Sequence, residues 1–84
     1  MMTNKERKIW KKEHDEVMKS YDVKRFKAFY NKYRARGVYN LDLPSDEIIE
    51  ITMRKAVFHM VSATPGETFE AKRWLDERGF STDL

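Results

Sequence analysis

Apolar side chains recur along most of this chain at the three-to-four-residue spacing of an amphipathic α-helix. In the first segment they define one side of a helix, and these positions are Trp10, His14, Val17, Met18 and Tyr21. Thr3 and Glu6 have the spacing of a capping box, in which each side chain binds the backbone amide of the other residue. Together the two patterns predict a helix over residues 4–20.

A second segment combines aromatic residues with positive charge. Its apolar positions occupy about one third of a helical wheel and exclude every Lys and Arg. They are Val23, Phe26, Phe29, Tyr30 and Tyr33. Ser20 or Asp22 can cap this helix, and Gly37 can end it. We predict a helix over residues 22–36. A single bent helix is the alternative, because no Gly or Pro separates this segment from the first one.

The third predicted helix is apolar around most of its circumference. Ser45 follows a proline and can cap it. Asp46 and Glu47 then place negative charge in the first turn, where the helix dipole favours it. The polar strip is narrow and consists of Glu50, Arg54 and Lys55. A helix of this kind is stable only when other helices cover it. We therefore predict that residues 46–62 form the buried central helix.

A connector and a fourth helix complete the predicted fold. Residues 37–45 predict a loop that packs its apolar side chains onto the helices. A second capping box at Thr64 and Glu67 and the pair Gly79–Phe80, which is typical of a Schellman ending, predict a helix over residues 65–78. Its buried positions are expected to be Trp74, Leu75 and either Phe69 or Ala71.

The fold class that follows is all-α, a compact bundle of about four helices. The 84 residues are enough for one domain, so we expect a single helical domain over residues 1–84. Residues 81–84 follow the last helix as a short tail. The short, Lys-rich, Cys-free composition is similar to that of small bacterial proteins.

Charge is distributed unevenly along the chain. Residues 1–40 carry 12 Lys or Arg and 5 Asp or Glu, whereas residues 41–84 carry 5 and 9. The basic half can contact an anionic partner such as nucleic acid, or it can complement the acidic half within the fold or across a dimer. The densest basic stretch is residues 24–36, which contains no acid. Its candidate contact residues, which share one arc of the helix, are Lys24, Lys27, Asn31 and Arg34.

The sequence carries no motif for catalysis, metal binding or cofactor binding. It has no Cys, and His14 and His59 lack the spacing of a metal-binding pair. Its three glycines are isolated, so they form no phosphate-binding loop. We therefore predict a protein that is not an enzyme and that needs neither a cofactor nor a metal.

The expected role is contact with another protein. Five methionines and an apolar third helix favour a protein partner or a homodimer, since Met adapts to irregular contact surfaces. Nucleic-acid binding through the basic helix 24–36 is the alternative. The chain has no apolar run long enough for a secretory leader or a membrane span, so we expect a cytoplasmic protein without membrane contact.

Overall fold

A computed structural model describes residues 2–84 and contains four α-helices in that range. They are α1 (Asn4–Ser20), α2 (Val23–Ala35), α3 (Asp46–Phe58) and α4 (Pro65–Glu77). The prediction of a small all-α bundle is confirmed. The first two helices are separate, because Tyr21 adopts a left-handed backbone conformation with φ of 52°. Asp22 then caps α2, where its carboxylate accepts the N–H groups of Lys24 and Arg25.

The helix starts follow the caps that the sequence predicts. Both capping boxes form, one at Thr3 with Glu6 and one at Thr64 with Glu67. The Ser45 hydroxyl accepts the N–H of Ile48 in the first turn of α3. Each of these bonds satisfies a backbone donor that the helix itself leaves unpaired.

Two glycines end helices in the left-handed conformation, which costs glycine little because it has no Cβ. Gly37 has φ of 78° and Gly79 has φ of 74°. In each case the N–H of the following residue donates 2.9 Å to a carbonyl in the last turn, from Val38 to Tyr33 and from Phe80 to Leu75. These are Schellman endings, as predicted for Gly79.

The third helix ends earlier than predicted. It stops at Phe58 rather than near residue 62, about one turn short. Because α4 packs back against α3, the chain has to reverse direction before Pro65. It does so through tight turns in which Met60 donates to the carbonyl of Val57. Met60 thereby remains buried, while Val61 is fully exposed.

The central position of α3 is confirmed. It packs against each of the other three helices, whereas α4 packs closely on α3 and reaches α1 through an ion pair between Glu67 and Lys19 at 3.6 Å. Its side chains Ile49, Met53 and Val57 have almost no exposed surface. The other buried apolar side chains are Val17, Met18, Phe26, Phe29, Tyr33, Met60, Ala71 and Leu75.

The solvent side of α3 differs from the predicted polar strip. Arg54 is half-buried against the rings of Tyr21, the C-cap of α1, and Trp74 of α4. Lys55 is also half-buried, and Ile48 is 52% exposed. On α4 the structure selects Ala71 as the buried residue and leaves Phe69 exposed. Hydrophobic periodicity places a side chain on a face, but the neighbouring helices decide which part of that face they cover.

The connector between α2 and α3 packs as expected. Val38, Tyr39 and Leu43 lie against the core, while Leu41 is exposed. The Tyr39 ring stacks on Tyr30 at 4.6 Å between ring centroids. None of the helices in residues 2–84 has both the length and the apolar character needed to span a membrane.

Candidate anion-binding surface

The four predicted contact residues lie at the surface of α2, but they do not form a patch free of acids. Lys24 and Asn31 are exposed. Lys27 pairs with Asp46 at 2.7 Å between Nζ and Oδ1. Arg34 pairs with Asp42 at 2.7 Å between Nη2 and Oδ1. Two of the four cationic or polar positions are thus engaged with the connector and the first turn of α3.

Both ion pairs lie in water. The side chains of Lys27 and Asp46 are 40% and 70% exposed, and those of Arg34 and Asp42 are 44% and 92% exposed. Pairs of this kind contribute only about 0.2–1 kcal/mol to stability. They hold these two cations beside carboxylates, so this side of α2 is partly neutralised.

Glu13 occupies the seam between α1 and α2. Its carboxylate accepts Lys32 Nζ at 3.0 Å and the hydroxyl of Tyr33 at 3.0 Å. The hydrogen bond from Lys32 is the main reason that the pKa of Glu13 is lowered. Burial raises the pKa of Tyr33, and the neighbouring carboxylate raises it further. This seam joins the two basic helices and uses one of their cations to do so.

Most of the remaining cations of the α1–α2 half make no ion pair with any carboxylate in residues 2–84. These unpaired cations are Lys5, Arg7, Lys8, Lys12, Lys24, Arg25 and Arg36. All of them are exposed. On α1, Lys5, Lys8 and Lys12 follow one another at intervals of three and four residues, so they form a stripe on one face. We call this group the lysine stripe.

Arg7 and Arg36 line a cavity at the open end of the α1–α2 hairpin. Its volume is about 470 Å³, and its walls are Met2, Glu6, Arg7, Arg36, Gly37 and Val38. Glu6 is the one acid among these walls, and its carboxylate already accepts the backbone N–H of Thr3. That backbone hydrogen bond is the main reason that the pKa of Glu6 is lowered. We call this feature the arginine cavity.

Sequence reasoning missed the arginine cavity because its two arginines are far apart in the chain. Arg36 belongs to the basic stretch 24–36, but Arg7 comes from the first turns of α1. Only the folding of α1 against α2 brings them together. The signal that the sequence does contain is the high density of positive charge in the first helix and again in residues 24–36.

The cations of α3 and α4 are arranged differently. The Arg54 guanidinium lies between two aromatic rings, 3.5 Å from the ring centroid of Tyr21 and 4.8 Å from that of Trp74. Arg78 also lies over Trp74, at 4.2 Å. Lys72 and Arg73 pair with carboxylates on their own helix, Asp76, Glu70 and Glu77. Among the cations of α3 and α4 in the described residues, Lys55 alone has neither a carboxylate nor an aromatic partner, so free positive charge is concentrated on α1 and α2.

One cluster brings together residue types that occur in catalytic sites. The carboxylate of Asp15 lies 3.0 Å from His14 Nδ1, 3.1 Å from Lys11 Nζ and 3.0 Å from the hydroxyl of Ser62. The hydroxyl donates to the carboxylate rather than to the imidazole, whereas an activated nucleophile contacts its base directly. The cluster instead fastens α1 to the turn between α3 and α4.

The second histidine serves a different contact. His59 Nε2 lies 2.7 Å from the carbonyl oxygen of Thr82 and holds the C-terminal tail. His14 and His59 both line a cavity of about 280 Å³. Among residues 2–84 no three His, Asp or Glu side chains come together as potential metal ligands.

The chemistry of this surface is attraction of negative charge by lysines and arginines that have no carboxylate partner within the described residues. Arginine binds phosphate and carboxylate groups through two parallel hydrogen bonds, and lysine contributes a point charge. No protein-family model, curated protein or solved structure matches this chain.

Proposed function

We propose that this protein is a non-enzymatic nucleic-acid-binding protein that contacts the phosphate backbone through α1 and α2. The observation that carries the proposal is the set of exposed cations on these helices that pair with no carboxylate in residues 2–84. Neutralising phosphates with such side chains releases counterions and provides affinity for any sequence. On this proposal the protein acts in the cytoplasm, together with its nucleic acid.

The surface favours a phosphate backbone over an acidic protein. Cores of protein interfaces are enriched in aromatic residues and depleted in lysine. The aromatic side chains of α1 and α2 are buried or half-buried, and Ile9 is the exposed large apolar residue beside the lysine stripe. A face made of separate charges, with Ile9 as a single exposed large apolar side chain and no exposed aromatic ring, is the kind that contacts phosphates.

The burial of the aromatic side chains also indicates how the nucleic acid is bound. Phe26, Phe29 and Tyr33 are in the core, so these rings cannot stack on bases. Contacts to phosphates position a protein without identifying the sequence. We therefore expect similar affinities for unrelated sequences of the same length and strandedness.

Fluorescence anisotropy with labelled duplex and single-stranded oligonucleotides tests the proposal. Affinity should fall steeply between about 50 and 200 mM salt, because each neutralised phosphate releases counterions. Changing Lys5, Lys8 and Lys12 to Gln should reduce the slope of log K against log salt by up to about 3 for duplex DNA.

A matched control variant distinguishes binding through the lysine stripe from binding that depends only on the net charge of the protein. Changing Lys55, Lys72 and Arg73 to Gln removes the same charge from α3 and α4, and affinity should stay close to that of the wild type. If both triple variants lose affinity equally, bulk charge rather than the lysine stripe accounts for binding. If the wild type binds neither form at low salt, the proposal is wrong.

Contact with another protein is the second candidate, and a specific feature favours it. Val61 and Leu84 are exposed beside Ala56 and Met60 around the cavity of about 280 Å³. On α3 itself Ile48 is the exposed large apolar side chain, so this helix offers little apolar surface to a partner. Light scattering over micromolar concentrations tests self-association, and a mass fixed at 10.1 kDa would exclude it.

A further inference from the structure

We propose that the arginine cavity binds a phosphate monoester between Arg7 and Arg36. This inference deepens the proposed function, on which it rests, by assigning the cavity to the terminal phosphate of a nucleic-acid strand. The lysine stripe then contacts the diester phosphates of the same strand. The first observation behind the inference is that two arginines without a carboxylate partner in residues 2–84 share the walls of one cavity.

Backbone hydrogen bonds fix the positions from which both arginines extend. Arg7 lies in α1, where its N–H donates 2.9 Å to the carbonyl of Thr3. Arg36 is the C-cap of α2, and its N–H donates to the carbonyl of Tyr33. Its guanidinium carbon lies 5.6 Å from the centroid of the Tyr33 ring, which is fully buried. Both arginines are thus held at helix ends, and Met2, Gly37 and Val38 of the adjoining non-helical segments complete the walls.

The charge of the cavity suits an anion. Two arginines and one glutamate line the cavity, so its walls carry a formal net positive charge. After the backbone hydrogen bond from Thr3, Arg36 lies near enough to Glu6 to contribute to the lowered pKa of that carboxyl. The Glu6 carboxylate is held at the start of α1 by its hydrogen bond with the backbone N–H of Thr3. Each guanidinium can donate two parallel hydrogen bonds to one phosphate group.

A monoester fits this site better than a diester. At pH 7 a phosphate monoester carries a charge of about −1.5 to −2 and three acceptor oxygens. A backbone diester carries a single negative charge, so two arginines favour the end of a strand over its interior. The volume of about 470 Å³ lies within the range of roughly 300–1,000 Å³ that is usual for small-molecule sites. Met2 and Val38 provide apolar walls for the sugar that follows the phosphate.

Two forms of one single-stranded oligonucleotide test the inference, the 5′-phosphorylated form and the 5′-hydroxyl form. We expect the phosphorylated form to bind wild-type protein about tenfold more tightly, because charge-assisted hydrogen bonds to the arginines add to the contacts of the lysine stripe. The Arg7→Gln/Arg36→Gln variant should bind both forms with equal affinity. The Lys72→Gln/Arg73→Gln variant, which loses the same charge elsewhere, should keep the tenfold preference.

A titration with a nucleoside 5′-monophosphate distinguishes the two sources of a monoester. Shifts of the backbone amide signals of Arg7, Arg36 and Gly37 would support monoester binding at this cavity. If these shifts occur but the two oligonucleotides bind equally or not at all, the site takes a free phosphorylated small molecule and the assignment to a strand terminus is overturned.

The failures of the two proposals can be told apart. Equal affinity of the two oligonucleotides together with no amide shifts overturns the arginine cavity as a site, while the proposed function stands on the lysine stripe. Absence of binding by either oligonucleotide at low salt overturns the proposed function itself. The melting temperature of each variant, measured in parallel, shows that a loss of binding is not a loss of folding.

Discussion

Tyr21 combines an unfavourable backbone conformation with a favourable side-chain position. Its φ of 52° is left-handed, which costs a residue with a Cβ about 1–2 kcal/mol. Its ring lies against the Arg54 guanidinium and packs on the core. A partly buried cation–π contact contributes up to about 2 kcal/mol, and burial of the ring adds to it. The side chain therefore outweighs the backbone strain.

Changing Tyr21 to Gly tests this balance. Glycine removes the strain but also removes the ring from beneath Arg54, so we expect the free energy of unfolding to fall by about 2 kcal/mol. Chemical denaturation measures the difference. Tyr21→Asn, which also tolerates the left-handed conformation, should lose a similar amount. A variant as stable as the wild type would show that the strain and not the stack dominates.

The cluster of Asp15 with Lys11, His14 and Ser62 makes part of the stability of the fold depend on pH. Burial raises the pKa of Asp15, but hydrogen bonds from His14, Lys11 and Ser62 outweigh it and leave the pKa below its ordinary value of 3.8. Because the pKa is lower in the folded state, Asp15 stabilises the fold at pH values above 3.8. That stabilisation disappears as the pH falls through the folded-state pKa.

Asp15→Asn isolates this component. At pH 7 the variant should be less stable by about 1–2 kcal/mol, since it loses charge-assisted hydrogen bonds. The two proteins should converge in stability as the pH falls below about 4. Melting temperatures between pH 7 and pH 3 measure the effect. A difference that stays constant over this range would contradict the assignment.

Helix starts and helix ends depend on different kinds of information. A capping box joins residues three positions apart, so Thr3 with Glu6 and Thr64 with Glu67 identified two helix starts correctly. The end of α3 depends on how α4 docks against it, which no local pattern encodes. Val61 continues the apolar periodicity of α3, so the sequence pattern extends about one turn beyond the end of the helix at Phe58.

The same substitution should have opposite effects at two glycines. Gly79 requires a left-handed conformation, so Gly79→Ala should reduce the free energy of unfolding by about 1 kcal/mol. Gly66 lies inside α4 with a right-handed backbone and room for a methyl group, so Gly66→Ala should raise it by about 0.5–1 kcal/mol. Thermal unfolding of both variants tests the helix boundaries. Changes of equal sign would contradict them.

The packing of the molecule is organised around α3. Val57 is 1% exposed, and placing a charge there leaves it buried without a partner. Val57→Asp should therefore lose several kcal/mol, comparable with the total stability of a small domain, and should fail to fold. Phe58→Asp should be milder, because Phe58 is only half-buried. Circular dichroism measures whether each variant folds. If Val57→Asp melts cooperatively near the wild-type temperature, Val57 is not part of the core.

The basic character of the α1–α2 half could be predicted from sequence, but the pairing of its charges could not. Exposure of Lys24 and Arg34 followed from the helical wheel. The partners of Lys27 and Arg34 come from Asp46 and Asp42, whose positions depend on the path of the connector. The free positive charge therefore lies partly on α1, outside the basic helix 24–36 from which the sequence predicts nucleic-acid contact.

Mapping a bound oligonucleotide by NMR tests the central claim most directly. Amide chemical shifts of the wild-type protein are recorded at low salt during titration with a single-stranded oligonucleotide. We predict changes concentrated at the lysine stripe, at the arginine cavity and around Lys24, with α4 unaffected. Changes centred on α4 or on the Val61–Leu84 surface, or no changes at all, would contradict the account.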